Sequence, residues 1–85
     1  MRVKARRNMT GAWVDVAPWD DGPSLIRVSR NRSSLTGEWE SVQVSWSALG
    51  DVSIERAIEF AHALTRATCF AERLDMNPDA DIGSA

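Results

Sequence analysis

Apolar and polar positions alternate over three stretches of the chain. From Thr10 to Val16, Trp13 and Asp15 fall on one side and Val14 and Val16 on the other. A period of two with Trp and Val content predicts a strand. Ser24 to Arg30 alternates again, with Leu25, Arg27 and Ser29 sharing one face and Ile26, Val28 and Arg30 the other. The third stretch, Glu38 to Trp46, sets Val42, Val44 and Trp46 against Trp39, Ser41, Gln43 and Ser45. One apolar and one polar face imply a sheet covered on one side only. Pro18, Asp20, Asp21, Gly22 and Pro23 form a dense turn signal between the first two strands. Polar residues 31–37, ending in Thr36-Gly37, fit a hairpin loop between the second and third.

After a connector containing Gly50 and Asp51 the period changes. Ser53 is suited to cap a helix, because its hydroxyl accepts from a free first-turn amide. Glu55 places a negative charge at the positive end of that helix. At about 100° per residue, Ile54, Ala57, Ile58, Ala61, Leu64, Ala67, Thr68, Ala71 and Leu74 share one broad arc, with Phe60 inside it. Glu55, Glu59, His62, Arg66 and Arg73 lie opposite. Pro78 stops the helix, which should end near Leu74 or Asp75. The predicted fold is α+β: a three-stranded antiparallel β-meander packed on one long C-terminal amphipathic α-helix, in the order βββα. Residues 1–9 read as a flexible basic arm, 10–75 as one domain, and 76–85 as a disordered tail of small polar residues.

Length bounds the energetics. The chain of 85 residues makes one small core, for which oligomerisation or a crosslink commonly supplements stability. A single cysteine, Cys69, forms no internal disulfide, and with one histidine it cannot build a structural zinc site. No apolar run of signal length follows the basic start, and no stretch approaches the roughly 18 apolar residues that span a bilayer. The expected compartment is the cytoplasm.

The net charge of −2 is unevenly spread. Residues 1–37 hold seven basic and three acidic side chains, whereas residues 38–85 hold three and nine. Such asymmetry raises the prospect of an anionic partner for the first half. Arg2, Lys4, Arg6 and Arg7 could follow phosphates, and Arg27, Arg30 and Arg32 could extend the track. Trp13, Trp19 or Trp39 could stack on exposed bases. Against nucleic acid stand an isoelectric point of about 5.2 and the absence of a helix–turn–helix, zinc-finger or aromatic RNA-binding strand motif.

Catalytic chemistry finds no motif. His62 and Cys69 fall on one side of the helix, but seven residues of rise separate them by about 10 Å. Asn77, Asp79 and Asp81 imitate the start of a calcium loop, but Ile82 stands where that loop needs glycine, and the twelfth-position glutamate is absent. Glu38, Glu40, Glu55 and Glu59 are not placed in a cleft by any pattern, and no glycine-rich phosphate loop occurs. No enzyme activity and no cofactor are expected.

The stretch Gly50-Asp51-Val52-Ser53-Ile54-Glu55-Arg56-Ala57-Ile58-Glu59 resembles the strand-to-helix junction of HicB-type antitoxins. That likeness implies a helix laid on a β-meander and a role in neutralising an RNA-cleaving partner. It lacks the proline-rich turn before the junction and the C-terminal DNA-binding module of that family. The whole chain also resembles small actinobacterial and phage proteins built of strands, a tryptophan-bearing turn and an Ala-rich helix, which implies an accessory protein acting by binding.

Four tryptophans are many for this length. Trp46 shares parity with Val42 and Val44 and is assigned to the core. Trp19 in the turn, Trp39 on the polar strand face, Phe60, and Phe70 at the polar edge of the helix are candidate protein contacts, because aromatics are enriched at interface hot spots. The expected function is a small non-enzymatic protein-interaction module, homodimeric, with an unidentified protein partner. A nucleic-acid-binding or antitoxin-like regulator using the basic arm and hairpin is the alternative.

Overall fold

The computed structural model describes residues 1–47 and 49–79. It is an α+β fold of four strands and one helix: β1 (Arg2–Asn8), β2 (Gly11–Ala17), β3 (Ile26–Asn31), β4 (Gln43–Trp46) and α1 (Ile54–Met76). The strands form one antiparallel meander in the order β1-β2-β3-β4, and α1 crosses a single face of it, lying chiefly over β3.

The expected three strands are therefore four. Residues 1–9 are not a flexible arm, because Arg2–Asn8 pairs along its whole length with β2, from Arg2 opposite Ala17 to Asn8 opposite Gly11. Its composition is basic, but its alternation is that of a strand. Val3 and Ala5 turn toward the helix and pack against the core, while Arg2, Lys4 and Arg6 turn away. The turn to β2 is closed by Asn8, whose Oδ1 accepts from the Thr10 amide at 2.8 Å and the Thr10 hydroxyl at 2.7 Å.

The parity read for β2 and β3 holds. Ala12, Val14 and Val16 meet Ile26 and Val28 on the helix side, all of them fully or almost fully buried. Burial of each Val or Ile is worth about 1.5–3 kcal/mol, so these five positions anchor the sheet. β4 is shorter than the predicted 38–46. Trp39 makes only an isolated bridge to Arg32, and regular pairing begins at Gln43. Val42 and Val44 pack against the core as expected. Trp46 does not. It lies opposite Ile26 at the end of an edge strand, past the cover of α1, and is 59% exposed.

The helix begins where the sequence places it. Ser53 caps it, its hydroxyl accepting from the Arg56 amide at 3.2 Å. It runs one to two residues beyond the predicted end, through Met76. Its buried face is rotated relative to the predicted arc. Ala63, Ala67, Phe70, Ala71 and Leu74 are buried, with Phe60 and Leu64 partly so. Ala63, Ala67, Phe70 and Leu74 follow the i, i+4, i+7, i+11 spacing of a single stripe. Ile54, Ala57, Ile58, Ala61 and Thr68, placed in the core arc by the sequence, are exposed. They fall on the other side of the helix from Ala63, Ala67 and Phe70, and so face away from the sheet. Of the expected 76–85 tail, Met76 closes the helix and Asn77 caps it, while residues 80–85 lie outside the described residues.

Candidate functional site

Two surfaces remain after the core is assigned: the outward stripe of α1 and the bare face of the sheet. The outward stripe carries Ile54, 80% exposed, and Ile58, 51% exposed. Between and beyond them stand the small exposed residues Ala57, Ala61, Thr65 and Thr68, and Met76 ends the run. Thr65 and Thr68 spend their hydroxyls on the Ala61 and Leu64 carbonyls, at 3.0 and 2.9 Å, so even these polar residues present methyl groups outward.

The bare sheet face is polar and basic. Asp15 sits near its centre, with Lys4 opposite on β1 and Arg27 opposite on β3. Arg27 grips Asp15 with both ends of its guanidinium, Nε to Oδ1 at 2.6 Å and Nη2 to Oδ2 at 3.0 Å. Arg6 approaches the same carboxylate at 3.9 Å. The hydrogen bond to Asp15 and then its charge raise the Arg27 pKa above the ordinary value. Trp13, half-buried, lies beside Arg6 in the next row.

The structure sorts the predicted nucleic-acid residues into two groups. Arg2, Lys4, Arg6 and Arg27 share the bare face. Arg7 and Arg30 have the opposite parity, and Arg32 lies beyond β3. Arg30 is a structural clamp on the end of α1. Arg32 donates from Nε to the Gly37 carbonyl at 2.8 Å and stacks 5.1 Å from the centre of the Trp39 ring, closing the β3–β4 loop. Arg2 donates to the Gly22 carbonyl and braces the β2–β3 turn.

The predicted aromatic contacts also divide. Phe70 is not at a polar edge: it is 1% exposed, in the middle of the buried stripe. Phe60, nearly three turns earlier on α1, is partly buried and packs against the core. Trp19 is half-buried under Arg56, whose guanidinium lies 4.6 Å from the ring centre and 3.8 Å from Asp21. Trp39 is half-buried in its loop. Of the four, Phe70 alone is fully buried, and Trp19, Trp39 and Phe60 are each partly exposed.

One feature had no sequence signal. Asp20, Asp21, Glu55 and Glu59 come together around Trp19 and Arg56 in an open groove of about 540 Å³ between the β2–β3 turn and the start of α1. The Met1 ammonium donates to Asp20 at 2.9 Å and holds that carboxyl below its ordinary pKa. His62 and Cys69 are both exposed on α1. Among the described residues no group of three or more His, Cys, Asp or Glu side chains converges on a metal-sized site. No helix among them is long and apolar enough to cross a membrane. No family model, curated protein or solved structure matches the chain.

Proposed function

We propose that this chain is a small non-enzymatic interaction module that assembles with a second copy through the outward stripe of α1. The observation carrying this reading is the pair of exposed isoleucines, Ile54 and Ile58, on a helix whose other side already fills the core. Apolar surface of this kind on a small domain marks a contact site more often than a solvated face. The alanines and threonines between the isoleucines keep the surface flat, so two such helices can approach closely. An antiparallel or parallel pair would bury both stripes and add apolar area to a core whose only fully buried aromatic among the described residues is Phe70. A binding role also agrees with the resemblance of Gly50–Glu59 to HicB-type antitoxins.

Sedimentation velocity at tens of micromolar tests the reading. The wild-type chain should sediment as a dimer, and Ile54→Glu/Ile58→Glu should sediment as a folded monomer, because both positions lie outside the core. A monomeric wild type at that concentration removes self-assembly.

A further inference from the structure

The face of the sheet turned away from α1 is independent of the helix stripe and carries different chemistry. Register fixes its layout. One row across the strands runs Lys4, Asp15, Arg27, Ser45; the next runs Arg6, Trp13, Ser29, Gln43. Arg2 extends the same face toward the β2–β3 turn. We propose that this open face binds single-stranded nucleic acid, with Lys4, Arg6 and Arg27 holding phosphates and Trp13 stacking on a base.

Charge is the first argument. The protein as a whole is net negative, yet this face gathers Arg2, Lys4, Arg6 and Arg27 around a single carboxylate. Asp15 offsets only one of these four charges, chiefly that of Arg27, whose Nε and Nη2 it holds, and leaves the face net positive. The other described acidic side chains lie outside the paired rows of this face, chiefly on α1, at the β2–β3 turn, in the segment before β4 and in the connector to α1. Guarding an exposed sheet edge is the ordinary use of Lys and Arg on a strand. That use accounts for β1, which is an edge, and the cross-strand pair with Asp15 accounts for Arg27, but neither accounts for Trp13 on the central strand β2.

Geometry is the second argument. Strands spaced about 4.8 Å apart set Lys4 and Arg27 about 10 Å from each other across the sheet, and two residues along β1 set Lys4 and Arg6 about 7 Å apart. Cations spaced on this scale can follow one extended sugar–phosphate chain. Arg6, Trp13 and Arg27 also border a shallow depression of about 500 Å³. In the same row as Trp13, Ser29 and Gln43 offer neutral donors and acceptors of the kind that meet base edges. A four-stranded sheet face does not fit into a duplex groove, which admits a helix or a two-stranded ribbon. Unpaired bases, in contrast, can lie on an aromatic platform. The surface differs from a track along the arm and hairpin, because Arg30 and Arg32 are engaged away from it, and Arg7, of opposite strand parity, reaches only the border of the depression.

Fluorescence anisotropy with labelled dodecamers of dT and of U, a dodecamer duplex, and phosphatidylserine vesicles in a parallel sedimentation assay decides the matter. At roughly 50 mM salt the single strands should bind in the 1–100 µM range typical of sequence-independent contacts. The log–log salt slope should be about −2 to −3, corresponding to three or four phosphates on a single strand. Binding of either strand type supports the proposal, and their ratio reports any use of the 2′-hydroxyl. Lys4→Glu/Arg6→Glu should remove binding. Trp13→Ala should weaken it about ten-fold or more, while Trp13→Phe, which keeps a ring and protects against loss of folding, should retain most of it. Arg66→Glu on α1, with the same charge change as either single reversal, should leave affinity within about two-fold. No binding of either strand, a duplex bound as tightly as the single strands, equal weakening by Arg66→Glu, or vesicle binding without oligonucleotide binding would each overturn the proposal.

Discussion

Arg30 of β3 donates from one guanidinium nitrogen to the carbonyls of both Leu74 and Asp75, at 2.9 and 3.0 Å. Its Nε donates at the same time to the Glu40 carbonyl at 2.7 Å. One side chain thus fastens the end of α1, the end of β3 and the segment leading to β4. The last carbonyls of a helix have no partner within it and carry partial negative charge, which a fixed cation suits. Arg30→Ala should therefore lower unfolding free energy by about 2 kcal/mol, within the range for partly buried charged hydrogen bonds. Urea denaturation should show a reduced midpoint with an unchanged slope. Arg30→Lys should recover only part of the loss, because one ammonium lacks the fork that reaches both segments.

Arg30 also illustrates what was legible in the sequence. Its parity with Ile26 and Val28 was visible, so its position on the helix side followed from the strand period. Its partners did not, because they are backbone carbonyls, two of them more than forty residues away. The same holds for β1. Val3 and Ala5 alternate with Arg2, Lys4 and Arg6, but basic residues at a chain start look like a solvated arm until a neighbouring strand is known. The helix was found with its cap and close to its end, whereas its facing was not. Alanines occur on both the exposed side (Ala57, Ala61) and the buried side (Ala63, Ala67, Ala71) of α1, so the isoleucines at its start pulled the expected arc away from Ala63 and Phe70. The four cations of the basic face stand in the sequence among three others, and only the sheet register separates them.

Gly22 makes a sharper test of the β2–β3 turn. A Cβ built there would lie 1.9 Å from Nε1 of Trp19 and 2.2 Å from its Cδ1. The indole is wedged under Arg56 and cannot swing aside without losing that contact. Gly22→Ala should expel Trp19, cost about 1–3 kcal/mol as other overpacking changes do, and shift tryptophan emission to the red.

Core and surface roles on the helix side should separate cleanly. Ala67 is fully buried where α1 meets the sheet, so Ala67→Leu should cost about 1–3 kcal/mol through displaced neighbours. Trp46→Ser, although it removes the larger side chain, should alter stability by no more than about 0.5–1 kcal/mol, because most of that ring already meets solvent. Paired thermal melts of the two variants check the ordering.

Gly37 has a φ of 72° and nothing within 4 Å of a built Cβ, so its role is purely conformational. Gly37→Ala should cost about 1–2 kcal/mol, the usual penalty for a left-handed backbone bearing a side chain. Gly37→Asn should cost less, since asparagine tolerates that region. The loop it closes holds the Arg32–Trp39 stack, and chemical denaturation of both variants would measure the difference.

Asp15 joins stability and the proposed binding with opposite signs. In the fold it accepts two hydrogen bonds from Arg27 and pairs across strands with Lys4. Arg27 is well exposed, so solvent screening limits the worth of that pair to about 0.5–1 kcal/mol. Asp15→Asn keeps the side-chain shape and should lower stability by that amount. On the open face the same carboxylate is the one charge that repels a phosphate. A unit charge about 7 Å away in water contributes near 0.6 kcal/mol, so its removal should tighten binding of oligo-dT about three-fold at low salt. A variant that melts earlier yet binds more tightly would be hard to obtain if the cations of this face served only to keep a sheet edge soluble. Equal or weaker binding by Asp15→Asn, measured below its melting transition, would detach the basic face from nucleic acid.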